Sequence, residues 1–351
     1  MIDVAFAIPG DLGTPTGGYA YARRLLAEFG RHGVRAAILP LPGSFPDPTP
    51  EDLALTGRLL SEAAPGAVLL VDGLAYGALP PAVIAQAGAR PVVALVHHPL
   101  GLEAGLTPAR AATLMASETA ALALARRVVA TSRFTARLLA RDFGVDPRRI
   151  VVAEPGTEPA ARVPVRAAGP VSLLTVGAVT PRKGHRLLVE ALRGLADRDW
   201  HLTVAGALDR APACAAELRE AIRAAGLADR ITLAGAVAES ALEALYAGAD
   251  LVVSPSLFEG YGMALAEALA RGLPLVATTG GAAADTVPPG AGLTVPPGDV
   301  PALAAALRSL IEDPARRARA AQAAHAAGLR LPRWSDTASL IAACLKEARA
   351  S

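Results

Sequence analysis

The feature of this sequence that most constrains its fold is a regular alternation of short apolar segments with longer helical ones. The short segments are rich in Val, Leu and Ile, whereas the segments between them carry Ala, Leu and Arg with helical spacing. Such alternation is typical of parallel βα units. We predict strands at residues 2–8, 34–39, 67–71, 91–96, 127–130, 150–153, 171–176, 201–205, 230–233, 250–253, 274–278 and 292–295.

The alternation is interrupted once, between Pro155 and Pro170, where proline and glycine occur without any periodic pattern. A stretch of this kind is typical of an interdomain linker. We therefore predict an α/β protein with two parallel-sheet domains, over residues 1–165 and 166–333, and a crevice between them. An apolar-periodic segment at residues 334–351 predicts a further helix at the end of the chain.

Composition agrees with an ordinary enzyme of two domains and argues against several other classes. The net charge of +2 over 351 residues argues against a nucleic-acid-binding protein. Cys214 and Cys344 are the only cysteines, which fits a reducing compartment and leaves no cluster for structural zinc. Because the chain enters a strand directly, without a basic stretch or cleavage site, we expect a cytoplasmic location. The high mean hydropathy of +0.38 reflects Ala and Val richness, since the longest uncharged run contains prolines and glycines.

Residues 254–281 contain the most informative motif. After a predicted strand comes a turn at residues 255–260, and then a helix from Gly262 to Arg271. This places Glu259 at the carboxyl end of a strand, where open α/β sheets bind ligands, and Glu267 inside the following helix. Backbone N–H groups near flexible glycines can approach a ligand, and a helix N-terminus favours negative charge. The glycines in question are Gly260 and Gly262.

A second motif follows the predicted strand at residues 171–176. The strand runs into a turn at Gly177, and Arg182 and Lys183 then stand at the start of a helix. A diphosphate would bind there through the helix dipole and the mobile charges. Only two of the 34 basic residues are lysine, so a compact ammonium at this position is informative. By itself the pair also fits a solvated basic helix start.

Two patterns in the first half are weaker. Gly17 and Gly18 follow the first strand but match neither a Walker A loop nor Gly-x-Gly-x-x-Gly, so a plain strand–helix turn explains them equally well. His97 and His98 stand at a strand's carboxyl end, which favours a function, although lone histidines are more often packed or surface residues. Glu103 is near enough in sequence to orient either histidine.

Together these motifs resemble the signature of retaining, nucleotide-sugar-dependent glycosyltransferases of the "group 1" family, family four. That family has the GT-B architecture, in which two Rossmann-like domains face a cleft. The resemblance spans both halves of the chain and is sharpest from 171 to 300, where Glu259, Glu267 and Gly280-Gly281 fall in family order and spacing. One departure concerns the three alanines that follow Gly281 before Asp285, where many relatives carry an acidic residue closer to the glycines.

The resemblance implies a role for each candidate residue. Glu259 would hold a hydroxyl of the transferred sugar and stabilise positive charge at the anomeric carbon, while Arg182 and Lys183 would clamp the pyrophosphate. His97 is the positional match for the histidine that meets the sugar, with His98 as the alternative. Glu267 would accept hydrogen bonds from the ribose. The residues implied to bind the donor are Gly17, Gly18, Gly177, Val237, Gly260, Tyr261, Gly262, Met263 and Glu267.

The resemblance also implies the reaction and its partners. A sugar would pass from a nucleoside diphosphate sugar, as co-substrate, to an acceptor hydroxyl with retention of configuration, without a metal or other cofactor. The acceptor would be a saccharide, a lipid-linked molecule or a small molecule; a nucleic acid is not expected and peripheral membrane contact is not indicated. Residues 1–165 would form the acceptor domain, residues 166–333 the donor domain, and the helix at 334–351 would return to the acceptor domain.

Two further readings of the function stay open. One is a sugar-nucleotide epimerase or a phosphorylase on the same fold, because a fold alone does not fix a reaction. The other is a nucleotide-sugar-binding regulatory partner without turnover, against which the intact candidate residues argue.

Two other patterns resemble known functional motifs, but their positions in the sequence do not support a functional site. Asp197-Arg198-Asp199 has the form of a metal-binding dyad but precedes its strand, which is the wrong end for a ligand. Ser132 lacks the glycine of a nucleophile elbow and is predicted to be a helix N-cap.

Overall fold

The structure, a computed structural model, describes residues 1–166 and 168–350. Ala167, in the predicted linker, and Ser351, at the end of the predicted final helix, lie outside the described residues. The chain divides into two compact units. The first comprises Met1–Gly156 together with the residues from Pro332 onward, and the second comprises Thr157–Leu331.

The first unit is built on a parallel sheet of six strands in the order β2-β1-β3-β4-β5-β6. Each strand coincides with a predicted one, so the prediction from apolar segments is confirmed here. Because the chain adds strands first on one side of β1 and then on the other, the switch point of the sheet lies between β1 and β3. The strands are β1 (Ile2–Pro9), β2 (Val34–Leu41), β3 (Val68–Asp72), β4 (Val92–Val96), β5 (Arg127–Ala130) and β6 (Ile150–Val152).

Helices connect these strands, and several of the helices begin with a Ser or Thr N-cap. The Ser132 hydroxyl accepts a hydrogen bond from the Thr135 N–H, which confirms the predicted N-cap. Thr16, Thr49 and Thr107 cap three other helices in the same way. The helices are α1 (Gly17–Phe29), α2 (Pro50–Glu62), α3 (Gly73–Tyr76), α4 (Pro81–Ile84), α5 (Pro108–Leu124) and α6 (Arg133–Asp142).

The second unit repeats the architecture with a parallel sheet in the order β12-β11-β10-β7-β8-β9. Its strands also coincide with the predicted ones. Here the switch point lies between β7 and β10, which are neighbours in the sheet although far apart in sequence. The strands are β7 (Val171–Val176), β8 (Trp200–Ala205), β9 (Ile231–Gly235), β10 (Leu251–Ser254), β11 (Leu275–Thr278) and β12 (Gly292–Val295).

The helix after β10 begins at Met263, one residue later than predicted. Gly262 takes the N-cap position with a φ of +94°, a backbone conformation that glycine adopts without strain. The helices of the second unit are α7 (His185–Arg193), α8 (Pro212–Ala224), α9 (Glu239–Ala247), α10 (Met263–Ala270), α11 (Ala283–Thr286), α12 (Val300–Glu312) and α13 (Pro314–Gly328).

Two segments near the predicted domain boundaries belong to different units. Residues 157–166, which the sequence assigned to the first domain, pack on the second unit: the Val163 N–H donates to the Arg271 carbonyl at 2.9 Å. The last helix, α14 (Trp334–Ala350), packs in the first unit, where the Thr337 hydroxyl donates to the Glu154 carbonyl at 2.7 Å. Among the described residues, no helix has the length and apolarity that crossing a membrane requires.

Candidate active site

The carboxyl ends of β7 and β10 bring the two strongest motifs of the second unit together. Lys183 follows β7 and Glu259 follows β10, and these strands are neighbours at the switch point of the sheet. The Lys183 Nζ donates to Glu259 Oε1 at 2.6 Å. The two loops are also joined through the backbone, where the Leu257 N–H donates to the Arg182 carbonyl at 2.7 Å. The site therefore forms where topology makes ligand binding most common in open α/β sheets.

Glu259 is a buried carboxylate surrounded by donors. Its side chain is 8% exposed, and the Ser256 hydroxyl donates to Oε1 at 2.6 Å. Arg182 lies 3.7 Å from Oε2 and donates to the Phe258 carbonyl at 2.8 Å. Burial raises the pKa of Glu259, but Lys183 and Arg182 outweigh burial, so the net effect is a pKa below the ordinary value. The carboxylate is therefore held ionised beside two cations.

Glycines allow the loops of this site to approach one another closely. A Cβ on Gly281, where φ is +65°, would lie 2.3 Å from the Glu259 carbonyl oxygen. A Cβ on Gly184, with the same φ, would lie 2.3 Å from the Pro255 carbonyl oxygen. Neither distance is compatible with a side chain, so these glycines fix the backbone that carries Lys183 and Glu259. Gly281 thus has a structural role in addition to its place in the motif.

Lys183 also packs on a predicted donor-binding glycine. A Cβ on Gly177, where φ is +149°, would lie 3.1 Å from Lys183 Cε. His185, which opens α7 directly after this turn, is buried, and burial together with nearby Lys183 lowers the pKa of its imidazole to about 4. His185 is therefore neutral near pH 7 and adds no further charge beside the two cations.

Glu267 lies on α10 in a different set of contacts. Its Oε2 accepts a hydrogen bond from the buried Tyr246 hydroxyl at 2.8 Å, and Tyr246 belongs to α9. The remaining predicted donor residues of this unit lie in the loops around these helices. Val237 precedes α9, Gly260 and Gly262 lie between β10 and α10, Tyr261 is buried beside Thr286, and Met263 opens α10.

In the first unit, the structure brings two predicted residues together at the carboxyl end of the sheet. A Cβ on Gly18 would lie 3.6 Å from His97 Cδ2, and Gly17 is the first residue of α1. His97 Nε2 lies 3.5 Å from Oδ2 of Asp72, a buried residue at the end of β3. Asp72 was not among the residues predicted from the sequence, although its position at a strand end was the available signal.

The two adjacent histidines have different surroundings. His97 packs edge-on against Tyr21, with ring centroids 5.1 Å apart. Both ring nitrogens of His98 are buried, and its Nε2 lies 3.5 Å from Glu103 Oε2. Glu103 therefore approaches His98 rather than His97, whereas the buried Asp72 approaches His97.

A second residue that was not predicted from the sequence is a buried glutamate in contact with the segment that follows His98. Glu118, on α5, is 1% exposed, and its Oε2 accepts a hydrogen bond from the Leu100 N–H at 2.8 Å. Burial raises the pKa of Glu118 to about 8, an effect that the Leu100 N–H only partly offsets. This side chain is therefore mostly protonated near pH 7, and it anchors the segment that follows His98.

The dyad-like Asp197-Arg198-Asp199 stands before β8, as predicted from the sequence. Arg198 forms ion pairs with Asp197 and with Glu312 on α12. Across residues 1–166 and 168–350, no group of three or more His, Cys, Asp or Glu side chains is arranged to hold a metal ion.

Comparison with known proteins identifies the class and then the family. Two Rossmann-like units with six-stranded parallel sheets define the GT-B class, and solved GT-B structures match this fold over the whole chain. A family model described as "Glycosyltransferase Family 4" matches residues 13–161, and one described as "Glycosyl transferases group 1" matches residues 170–313. The chain belongs to the group 1 glycosyltransferase family, so the family predicted from the motifs is confirmed, and retention of configuration stays a prediction.

The curated relatives include proteins named as glycosyltransferases and one named as a synthase. A D-inositol 3-phosphate glycosyltransferase from Kineococcus radiotolerans is 34% identical over 246 residues, which cover 61% of this chain and 55% of the relative. A mannosylfructose-phosphate synthase from Agrobacterium fabrum is 31% identical over 172 residues, covering 44% of this chain and 38% of the relative. The match with the first of these spans about half of the relative's length.

Solved structures support the fold. Sucrose-phosphate synthase from Thermosynechococcus elongatus superposes with a TM-score of 0.83 at 22% identity, covering 99% of both chains. Anabaena HepE in complex with UDP and glucose gives a TM-score of 0.79 at 19% identity, covering 99% of this chain and 100% of the other. At these identities the likeness concerns the fold alone.

Proposed function

We propose that the protein is a retaining, metal-independent glycosyltransferase that moves a sugar from a nucleoside diphosphate sugar to an acceptor hydroxyl. The observation that carries this proposal is the cluster of Lys183, Arg182 and ionised Glu259 at the switch point of the second sheet. When a sugar–diphosphate bond breaks, negative charge develops on the diphosphate and positive charge on the sugar. The cations can stabilise the first charge and the carboxylate the second.

The cations act on the leaving group. As the bond breaks, negative charge develops on the diphosphate, and preorganised donors that are stronger toward this charge than toward the ground state accelerate the step. Lys183 and Arg182 occupy adjacent positions before α7, so both reach a diphosphate bound at this turn. When the donor binds, Lys183 Nζ is shared between Glu259 and a phosphate oxygen.

The carboxylate acts on the sugar. Glu259 accepts a hydrogen bond from a sugar hydroxyl, and its charge stabilises the positive character that grows at the anomeric carbon. No side-chain nucleophile takes part in the proposed reaction, and the acceptor proton passes to an oxygen of the departing phosphate. Retention and this division of labour rest on the resemblance of the motifs to the family signature.

The other candidate residues complete the proposal on the same ground. Glu267 binds the ribose hydroxyls, His97 meets the transferred sugar, and the glycines approach the donor through their backbone. The first unit receives the acceptor and the second unit the donor. We further propose a cytoplasmic location.

The acceptor class is drawn from the relatives' names. These name an inositol phosphate, a mannosylfructose phosphate and a lipopolysaccharide core. A hydroxyl of a saccharide, of a lipid-linked molecule or of a small polyol phosphate is therefore the proposed acceptor. A screen across these three acceptor types separates them.

Metal independence has its own test. Lys183 and Arg182 supply the positive charge that a divalent ion would otherwise bring to the diphosphate. We expect enzyme treated with EDTA to keep its activity. Complete loss that Mn²⁺ or Mg²⁺ restores would contradict the proposed mechanism.

The test of the function is release of nucleoside diphosphate. Thermal-shift screening against UDP, GDP, ADP and dTDP sugars first identifies the donor, because a ligand at a hundred times its dissociation constant stabilises the native state by ~2.7 kcal/mol. The chosen donor is then incubated with and without acceptors. Acceptor-dependent release with a glycosylated product supports transfer. Conversion of the sugar without net release would indicate an epimerase, and binding without any conversion would indicate a regulatory partner.

A further inference from the structure

The contact between Tyr246 and Glu267 joins two helices of the second unit. Tyr246 lies near the end of α9 and is 1% exposed, and its hydroxyl donates to Glu267 Oε2 at 2.8 Å. Glu267 lies in the middle of α10. A buried hydroxyl bonded to a carboxylate is a charge-assisted hydrogen bond, which is shorter and stronger than a neutral one.

The ring of Tyr246 is fixed in place by an arginine. The Arg271 guanidinium carbon lies 4.5 Å from the centre of the ring, within the range of a cation–π interaction. Arg271 also donates to the Glu267 backbone carbonyl at 2.8 Å and forms an ion pair with Glu243 on α9. The phenol therefore has little freedom to turn away from Glu267.

The hydroxyl is a permanent donor. Burial raises the pKa of Tyr246 well above its ordinary value, and the nearby Glu267 carboxylate raises it further. The phenol keeps its proton throughout the physiological pH range. Its nearer acceptor is Glu267 Oε2 at 2.8 Å, and the Ala264 carbonyl oxygen lies at 3.4 Å. The hydrogen bond from Tyr246 fixes the position of Glu267 Oε2, and it therefore restricts rotation of the carboxylate about the Cγ–Cδ bond.

We infer that Tyr246 is a positioning residue for Glu267, and that the pair makes the site selective for the vicinal hydroxyls of a nucleotide ribose. This inference rests on the proposed function, in which Glu267 accepts from those hydroxyls. A carboxylate that is already oriented loses less conformational freedom on binding than one that must first be ordered. The advantage is realised only with a ligand that carries the hydroxyls.

The test compares ligands with and without those hydroxyls. Calorimetric titration with the ribonucleotides UDP, GDP and ADP identifies the base that binds best, and the 2′,3′-dideoxy diphosphate of that base is then titrated. Wild-type protein is expected to prefer the hydroxyl-bearing ligand by about tenfold or more. Tyr246→Phe keeps the ring and its stacking with Arg271, and is expected to reduce this preference at least about fivefold. Its affinity for the dideoxy ligand stays at the wild-type value.

Tyr76→Phe is the matched control. Tyr76 is a buried tyrosine of the first unit whose hydroxyl donates to the Ala121 carbonyl at 2.9 Å. Its removal loses a hydrogen bond of similar burial, and neither affinity should change. Glu267→Gln provides a second background in which Tyr246→Phe should have no further effect on the preference, because the two residues act as one unit.

The outcomes separate the inference from the function. If wild type prefers the hydroxyl-bearing ligand and Tyr246→Phe keeps the full preference, Tyr246 does not position Glu267 and the inference is overturned. The same holds if the variant weakens both ligands equally, since that is the result of a general structural role. If wild type binds no nucleoside diphosphate at all, the proposed function itself fails.

Discussion

Two buried glutamates, one in each unit, differ in charge: one is mostly protonated and the other is ionised. Glu118 in the first unit has no cation among the groups that set its pKa, and burial raises that pKa to about 8. Glu259 in the second unit is also buried, but Lys183 and Arg182 bring its pKa below the ordinary value. Near pH 7, the glutamate of the first unit is therefore mostly neutral and that of the second unit is ionised.

The difference shows how the surroundings of a carboxyl group separate a structural role from a chemical one. A buried charge is costly unless it is paired and hydrogen-bonded. Glu118 avoids the cost by keeping its proton, and it serves as an acceptor for the Leu100 N–H. Glu259 keeps its charge because its cations stand beside it, and those cations are also suited to bind a diphosphate. A site that holds separated charges in this way is prepared for an ionic ligand.

Removing the ammonium of Lys183 should produce the largest effect. Lys183→Ala takes away the proposed donor to the developing diphosphate charge and leaves buried Glu259 with one cation fewer, so turnover should fall on the order of 10²–10³-fold. Release of nucleoside diphosphate measures it. Lys346→Ala is the control, because this other lysine is exposed and donates to the His32 carbonyl at 3.0 Å.

The control variant is expected to match wild type. A charged donor in such a site contributes on the order of 2–4 kcal/mol to stabilising the transition state. If folded Lys183→Ala keeps more than about a third of wild-type turnover, Lys183 does not bind the diphosphate as proposed.

The next effect separates Glu259 from Glu267. Glu259→Gln should depress turnover while leaving the affinity for the bare nucleoside diphosphate within about threefold, because the free nucleotide lacks the sugar that we propose this carboxylate binds. Glu267→Gln should weaken donor and free nucleotide together, which raises the Michaelis constant. Calorimetry with the bare nucleotide measures both variants. The opposite pattern, with affinity lost only in Glu259→Gln, would show that the roles are reversed.

The smallest effect concerns the pH dependence of stability. The pKa of Glu118 is raised on folding, so the unfolded chain releases this proton first and the folded state loses stability as pH rises from about 4.5 to about 8. Glu118→Gln is neutral at every pH and should therefore melt higher than wild type by about 2–4 °C near pH 9, with a smaller gap near pH 5. Melting curves across this range measure it. The prediction would be wrong if the difference in melting temperature between Glu118→Gln and wild type increased toward acidic pH.

Much of the fold follows from the sequence because parallel strands buried on both faces leave continuous apolar segments. The strands of both sheets are visible in this way, although their order in the sheets is not. The N-cap at Ser132 follows from local chemistry. The start of the helix at Met263 differs from the prediction, because Gly262 adopts a positive φ instead of joining the helix.

The supporting residues could not be predicted in this way. Glu118 and Tyr246 each occur in a helical segment where a polar side chain is ordinarily solvated, and their burial depends on packing between elements distant in sequence. The motif spacing identified Lys183 and Glu259 separately, but the 2.6 Å contact between them arises from strand order. Pairings of this kind are properties of tertiary structure, which periodicity does not record.

Infrared spectroscopy of the carboxyl groups tests the central comparison most directly. Wild-type protein near pH 6.5 should show the carbonyl stretch of a protonated, buried carboxylic acid, because the pKa of Glu118 lies above that pH and the pKa of Glu259 lies below its ordinary value. The account predicts that this band disappears in Glu118→Gln and remains in Glu259→Gln. A band that is lost in Glu259→Gln and kept in Glu118→Gln would contradict it.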